Sequence, residues 1–122
     1  MISEIDNLVS KLSKVNEVWN SYLNVKYANL SRARIAEEDL EELTKHFVRL
    51  SLTKDEIDFK NFFKELEIIL TDSDFEKEFF FTETFVQKIT LFSNWSELDI
   101  YNRFQKYLGE NTKTLFMDLI EV

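Results

Sequence analysis

The chain has 122 residues, of which 44% are hydrophobic and 15% aromatic, and this is enough apolar material for one folded core. It contains no Cys, no Pro, one Gly and one His, a composition that excludes disulfide frameworks, thiolate sites and glycine-rich phosphate loops. The formal net charge is −8, so we expect no binding to nucleic acid, whose phosphates supply most of the affinity for its proteins.

Helical periodicity runs through the first half of the chain. Apolar residues recur every three or four positions from Ile5 to Tyr27, which predicts one long helix with a single buried stripe. A second helix is indicated by Leu40, Leu43, Phe47 and Leu50. Thr53 and Glu56 have the spacing of a capping box and should begin a third helix. The residues that this helix is expected to bury are Ile57, Phe59, Phe63, Leu66, Ile69 and Leu70.

The fourth predicted helix is rich in phenylalanine. Ser73 and Glu76 again have capping-box spacing, and the apolar residues that follow cover most of the helix circumference, which predicts a central position. Phe79, Phe80 and Phe81 are consecutive and spread over about 200° of a helix, more than a bundle readily buries. Either one of the three reaches the surface or all three are buried in a central helix, which is the more common arrangement; we include Phe81 among the partner-binding residues.

Two shorter helices complete the prediction. Leu98, Tyr101, Phe104 and Leu108 indicate a fifth helix, and Gly109 stands where a left-handed C-cap would end it. Residues 112–120 indicate a last short helix. The sequence therefore predicts an all-α protein, a single-domain bundle of five to six helices over residues 1–122.

Acidic residues are concentrated in one segment. Residues 37–78 hold fourteen acids and six bases. The spacing of Glu41 with Lys45 and of Glu56 with Lys60 predicts stabilising pairs within a helix. Glu38 and Glu42 stack as like charges, whereas Asp58, Glu65 and Asp72 share one helix line that has no basic neighbour. A net charge of this kind bears on association rather than on fold. We predict that these five acids form a partner-binding face together with Phe81: Glu38, Glu42, Asp58, Glu65 and Asp72.

Three further patterns have structural explanations. Residues 72–83 place acids at several positions of a calcium loop, but Lys77 occupies the position that requires Gly, which favours a capped helix start. His46 follows Glu42 by one turn and has no companion ligand, which is typical of a surface or boundary histidine. The basic cluster of Lys26, Arg32 and Arg34 is expected to pair with acids of the same molecule.

The second half of the chain resembles a small helical family of uncharacterised bacterial domains. The residues that carry the resemblance are Phe63, Leu66, Glu67, Ile69, Leu70, Asp72 to Asp74, Phe85, Val86, Ile89, Tyr107, Leu108, Gly109, Thr112 and Phe116. The chain differs from that pattern at Gln87 and Glu110. Members of the family are associated with immunity proteins of bacterial toxin systems. The resemblance covers roughly residues 60–120 and implies a role, without implying a catalytic residue.

These observations lead to one functional hypothesis and one alternative. The chain is expected to be a non-enzymatic, immunity-type protein that neutralises a basic toxin domain through its acidic, aromatic-containing face. The alternative is a helical regulatory or assembly subunit that oligomerises or joins a larger complex. We expect no catalytic residue, metal or cofactor. We also expect a cytoplasmic location without a membrane partner, because the first eight residues are acidic and the uncharged stretches are shorter than the roughly 20 residues of a membrane span.

Overall fold

The computed structural model describes residues 1–28, 33–53, 56–72, 74–93 and 96–120. Residues 118–120 are described by their backbone alone. Every regular element in these ranges is a helix, which confirms the predicted all-α bundle. Seven helices are present there, where five to six were expected: α1 (Ile2–Ser10), α2 (Asn16–Lys26), α3 (Ala36–Ser51), α4 (Glu56–Thr71), α5 in three consecutive parts (Phe75–Phe81, the π-helical Thr82–Val86 and Lys88–Phe92), α6 (Glu97–Phe104) and α7 (Glu110–Ile120). None of these described helices has the length and apolar character that crossing a membrane requires.

The predicted long first helix is wrong, because the chain breaks between α1 and α2. Its apolar stripe is nevertheless continuous and buried, from Ile5 to Trp19. The break is stabilised from α4, where Asp58 Oδ2 accepts hydrogen bonds from the Ser13 backbone N at 3.1 Å and from the Ser13 hydroxyl at 2.8 Å. A carboxylate that satisfies these donors removes the need for a helical partner at that point.

A cluster of phenylalanine rings forms the centre of the bundle. The Phe47 ring of α3 lies 5.1–6.2 Å, centroid to centroid, from five other rings: Phe59, Phe62 and Phe63 of α4, Phe85 of α5 and Phe104 of α6. All six side chains are buried, and their stacked and edge-on contacts are the arrangements that aromatic quadrupoles favour. α1 packs against both α3 and α4, and α7 packs against α4 and α6.

The buried stripe of α4 differs from the predicted one at two positions. Ile57 was expected in the core but is 72% exposed, whereas Phe62, which the prediction omits, is fully buried. Phe62 stacks on Phe47 with their ring centroids 5.1 Å apart, and this contact sets the rotation of α4. Ile57 then lies on the outer side of the helix.

A polar network joins α1, α2 and α3. Asp39 is completely buried and accepts hydrogen bonds from the Tyr22 hydroxyl at 2.8 Å, the Tyr27 hydroxyl at 2.7 Å and Arg34 Nε at 3.0 Å. The two terminal nitrogens of Arg34 donate to the carboxylate of Asp6 at 2.8 and 2.9 Å, and this fork holds the pKa of Asp6 below its usual range. The expected internal pairing of Arg34 is confirmed, while Arg32 lies outside the described residues.

The N-terminus of α7 is capped by a carboxylate from α4. Glu67 accepts hydrogen bonds at 2.8–3.0 Å from the backbone N and side chain of Asn111 and from the backbone N and hydroxyl of Thr112. These donors belong to the first turn of α7, which has no carbonyl partners of its own. Gly109 does not have a positive φ, so the predicted left-handed C-cap is wrong. A Cβ at position 109 would overlap the Glu67 side chain, so the glycine makes room for the cap.

Helix starts agree only in part with the predicted capping boxes. The Thr53 hydroxyl donates a hydrogen bond to a main-chain carbonyl of α3. The Glu56 carboxylate accepts hydrogen bonds from side chains of residues that follow α6. Residues 54–55, between Thr53 and Glu56, lie outside the described part of the chain. Ser73 also lies outside it. A complete capping box is formed at the start of α6, where Ser96 and Asp99 exchange hydrogen bonds between side chain and backbone.

Truncation of the central ring should be strongly destabilising. We expect Phe47→Ala to lower the free energy of unfolding by about 3–5 kcal/mol, because it opens a cavity at the contact point of four helices. Phe79→Ala, at a half-exposed phenylalanine, is the matched control and should cost less than about 1 kcal/mol. Urea unfolding measures both, and a Phe47→Ala loss as small as that of the control would contradict the central role of this ring.

The Glu67 cap predicts a pH-dependent contribution to stability. Burial by itself raises the pKa of Glu67, but the hydrogen bonds from Asn111 and Thr112 outweigh it and hold the pKa below 4.5. Stability from the ionised carboxylate is therefore present above the pKa of the unfolded chain and lost as pH falls through the folded-state pKa. We expect Glu67→Gln to cost about 1–3 kcal/mol at neutral pH, because an amide nitrogen cannot accept from α7.

Glu65→Gln, on the same helix, is the control for this measurement and should change stability by less than about 0.5 kcal/mol. The difference between wild type and Glu67→Gln should shrink as pH falls below 4.5. Urea unfolding over a series of pH values checks this, and a difference that stays constant into acid would show that the ionised carboxylate is not the source of the stability.

Candidate protein-interaction surface

Two phenylalanines are exposed at the beginning of α5. The helix starts at Asp74, whose Oδ1 accepts a hydrogen bond from the Lys77 backbone N at 2.9 Å as an N-cap. Phe75 and Phe79 follow with a spacing of four residues and therefore lie on the same stripe of the helix. Their rings stack with centroids 6.0 Å apart and planes 20° apart, and the residues are 79% and 51% exposed.

The opposite stripe of α5 is buried, which corrects the assignment of Phe81. Phe81 is 0% exposed, together with Phe85 and Ile89 at the same four-residue spacing, so it cannot form part of a surface. Phe79 and Phe81 are separated by about 200° around a helix, so burial of one turns the other outward. Of the two alternatives that the sequence leaves open, the structure shows exposure of one of the three consecutive phenylalanines, and that residue is Phe79.

A π-helical turn within α5 contacts α3. The Gln87 backbone N donates to the Thr82 carbonyl at 2.9 Å, a bond that spans five residues. The carbonyl of Thr84 in the same turn accepts from the Thr44 hydroxyl of α3 at 3.2 Å. The same hydroxyl also donates to the Leu40 carbonyl at 2.8 Å, and α3 packs along the π-helical turn and the last part of α5. Glu37 in the first turn of α3 lies beside the start of α5.

Cavities flank the exposed rings on two sides. The larger has a volume of about 530 Å³ and is lined by Met1, Glu37, Asp74, Phe75, Glu76, Lys77, Phe79, Phe80, Glu83 and Thr84. The smaller, of about 180 Å³, lies between Phe75, Phe79 and α7. We name the combination of the ring pair and the carboxylates of the larger cavity the aromatic–acidic face; it consists of Phe75, Phe79, Glu37, Asp74, Glu76 and Glu83.

The carboxylates of the aromatic–acidic face are poorly neutralised. Within the described ranges Glu37, Glu76 and Glu83 are exposed and take part in no ion pair. Lys77 is the one basic side chain among the described residues that line the larger cavity. Carboxylates of like charge around a concave apolar surface produce a local negative potential that attracts cations.

The acids that the sequence assigns to α3 have internal partners. Glu38 lies 3.5 Å from Lys26 Nζ, which confirms the expected internal pairing of that lysine. Glu42 lies 3.8 Å from Lys45 Nζ and 3.5 Å from His46 Nε2. The lysines Lys26 and Lys45 therefore partly compensate the charges of Glu38 and Glu42 within the molecule.

The acids assigned to α4 are dispersed. Asp58 holds the turn between α1 and α2, Glu65 lines a separate cavity that Lys11 and Lys64 also line, and Asp72 is exposed at the end of the helix. None of the five predicted acids lines the cavity beside Phe75 and Phe79. Their part in partner binding stays a prediction, and the structure does not bring them to the aromatic–acidic face.

The predicted ion pairs within helices are replaced by pairs between elements. Glu41 lies 3.8 Å from Lys88 Nζ of α5, and Glu56 lies 3.2 Å from Lys106 Nζ after α6. An acidic side chain on a helix surface pairs with the nearest cation in space. Here a neighbouring element places a lysine closer to Glu41 and to Glu56 than their own helices do. These pairs help to hold α5 against α3 and α6 against α4.

No group of three or more His, Cys, Asp or Glu side chains in the described part of the chain could hold a metal ion. The sequence analysis assigned none of the six residues of the aromatic–acidic face to partner binding: Glu37, Asp74, Phe75, Glu76, Phe79 and Glu83. A signal for the two rings is present in the sequence, since the pairs 75–79 and 81–85 fall on opposite stripes of one helix.

No protein-family model, curated protein or solved structure matches this chain.

His46 lies at the edge of the core, where the sequence predicts a surface or boundary position. It is 8% exposed, and its Nε2 has no hydrogen-bond partner among the described residues, although Glu42 is 3.5 Å away. Burial lowers the pKa of His46 below 6.5, and the nearby Glu42 opposes this only in part. The folded protein therefore favours the neutral imidazole.

This burial predicts a loss of stability in mild acid. Because the folded-state pKa is depressed, the stabilising contribution is present above the unfolded value of 6.5 and is lost as pH falls below it. The chain has one histidine, so no other side chain titrates near this pH at its ordinary pKa. We expect His46→Leu to remove the decline in unfolding free energy between about pH 7 and about pH 5. An equal decline in both proteins would contradict this assignment.

Proposed function

We propose that this chain is a non-enzymatic protein-binding module that docks a basic protein partner on the aromatic–acidic face. The observation that carries the proposal is the stacked, exposed pair of Phe75 and Phe79 beside a cavity rimmed by carboxylates. Exposed aromatic rings that a partner covers supply much of the energy of protein interfaces, and a polar surround keeps water from the contact.

The composition of the cavity favours recognition over catalysis. Its described lining offers carboxylates, three phenylalanine rings, Lys77 and Thr84. Nucleophilic catalysis requires a nucleophile in hydrogen-bond contact with a base. The one side-chain hydrogen bond between described lining residues is the N-cap, in which the Lys77 backbone N donates to Asp74, and it serves the helix.

Charge supports a foreign partner over a second copy of the chain. In a two-fold symmetric dimer the same patch meets itself, so Glu37, Glu76 and Glu83 would face their own copies and repel. A partner with lysine or arginine around an apolar centre would instead be attracted, and such complementarity accelerates association. This argument favours docking of a basic protein over the assembly alternative.

Among basic partners we propose a bacterial toxin domain, which this chain would neutralise as an immunity-type protein by covering its active region. The resemblance of residues 60–120 to domains associated with such systems supports this choice. The α5 part of the aromatic–acidic face, from Asp74 to Glu83, falls inside that segment. Its carboxylates would steer the encounter and its rings would hold the complex.

Affinity capture with matched surface variants tests the docking face. The wild-type chain, Phe75→Ser/Phe79→Ser and Ile57→Ser/Ile68→Ser are used to capture proteins from the native host. The last variant removes two similarly exposed apolar side chains from α4, 72% and 58% exposed. We expect a basic protein to be retained by the wild type and the α4 variant, and to bind the α5 variant at least about tenfold more weakly.

Equal binding of that protein by the two double variants would contradict the assignment of the face. The immunity role has its own readout. The captured protein should inhibit growth when it is expressed alone, and co-expression of this chain should relieve the inhibition. A captured protein that is harmless to cells would contradict the immunity role and leave the docking face standing.

A further inference from the structure

The larger cavity of the aromatic–acidic face combines two kinds of wall. One is apolar and consists of the rings of Phe75, Phe79 and Phe80. The other carries the carboxylates of Glu37 from α3 and of Glu76 and Glu83 from α5. A volume of about 530 Å³ admits a long side chain together with part of the segment that carries it.

Both walls attract the same chemical group. Aromatic faces attract cations through the ring quadrupole, and carboxylates bind them through charge-assisted hydrogen bonds. A long basic side chain matches both walls, because its aliphatic stem packs on rings while its head reaches the carboxylates. Among the described lining residues the cations are Lys77 and the α-ammonium of Met1, which pairs with Glu4 at 3.1 Å, and neither forms an ion pair with Glu37, Glu76 or Glu83.

The geometry distinguishes arginine from lysine. The guanidinium group is planar, stacks on aromatic rings and carries five donors that can bridge two carboxylates, whereas an ammonium is a compact, strongly hydrated charge. The near-parallel rings of Phe75 and Phe79 offer a stacking surface, and the carboxylates approach from two helices. Arg34 shows the same chemistry inside this protein, where it bridges Asp6 and Asp39.

We propose that the cavity beside Phe75 and Phe79 receives an arginine side chain of the protein partner, between the phenylalanine rings and the carboxylates of Glu37 and Glu83. This inference rests on the proposed function and names the partner's recognition element. The arginine would be the central contact of the interface. Because it would neutralise carboxylates from both α3 and α5, both helices would form part of one binding surface.

A titration of the full chain with small probes tests the pocket without the partner. ¹⁵N-labelled protein is titrated with Nα-acetyl-arginine N-methylamide, and with the lysine and citrulline analogues as the compact-cation and neutral controls. We expect the arginine probe to shift the amides of the cavity residues with a Kd on the order of millimolar. The lysine probe should bind more weakly, and the citrulline probe should cause no saturable shift at these positions.

Substitutions then locate the binding site. Glu37→Gln and Glu83→Gln should each weaken binding of the arginine probe by about three- to tenfold, and Phe79→Ala by about two- to fivefold. Glu17→Gln removes an exposed acid of α2 that does not line the cavity, and it should leave the Kd unchanged. Equal binding of the citrulline probe, or equal effects of Glu17→Gln and Glu83→Gln, would overturn the proposal.

The source of the arginine is tested on the captured partner. One Arg→Gln substitution in that protein should lower its affinity for this chain at least about tenfold, and the loss should disappear when the chain already carries Glu37→Gln and Glu83→Gln. If every such substitution is neutral while the Phe75→Ser/Phe79→Ser variant still loses the partner, the arginine inference fails and the docking face stands. If that variant retains the partner, the proposed function fails as well.

Discussion

Packing of the Phe47 ring against five other phenylalanine rings is the contact on which the arrangement of this protein depends. The rings come from α3, α4, α5 and α6, so each of these helices must turn one particular stripe toward the same point. Protein interiors are close-packed, and a large planar side chain leaves little freedom of rotation to the helix that carries it. The rotations of α4 and α5 follow from Phe62 and Phe85.

The candidate surface is a consequence of that rotation. With Phe85 against Phe47, the stripe through Phe81 and Ile89 is buried, and Phe75 and Phe79 point away from the core. Packing of α3 along the π-helical turn and the last part of α5 then places the first turn of α3 beside the start of α5. Glu37 reaches the exposed rings because of this contact, although it is 38 residues distant from Phe75 in the sequence.

Much of the acidity of the chain serves the fold rather than the surface. Asp39 is the centre of a buried network, Asp58 satisfies the turn between α1 and α2, and Glu67 caps α7. Asp39 accepts from buried and half-buried side chains, whereas Asp58 and Glu67 accept from backbone N–H groups in a turn and at a helix start. A high count of acids in one segment therefore does not identify a binding face by itself. Under the proposed function, the acids that bind the partner are those without such a task, and Glu37, Glu76 and Glu83 meet that condition.

Local periodicity was enough to predict the all-α class and most of the buried stripes, because helix spacing determines which residues share a face. It could not predict the break after Ser10, the reason for Gly109, or which ring of α5 turns outward. The break depends on the hydrogen bonds of Asp58, and the glycine depends on the position of the Glu67 side chain. The outward ring depends on the packing of α5 against Phe47. Each of these contacts joins positions about forty residues apart. Spacing along a helix carries no information about such partners, so these features were decided only when the tertiary structure brought the helices together.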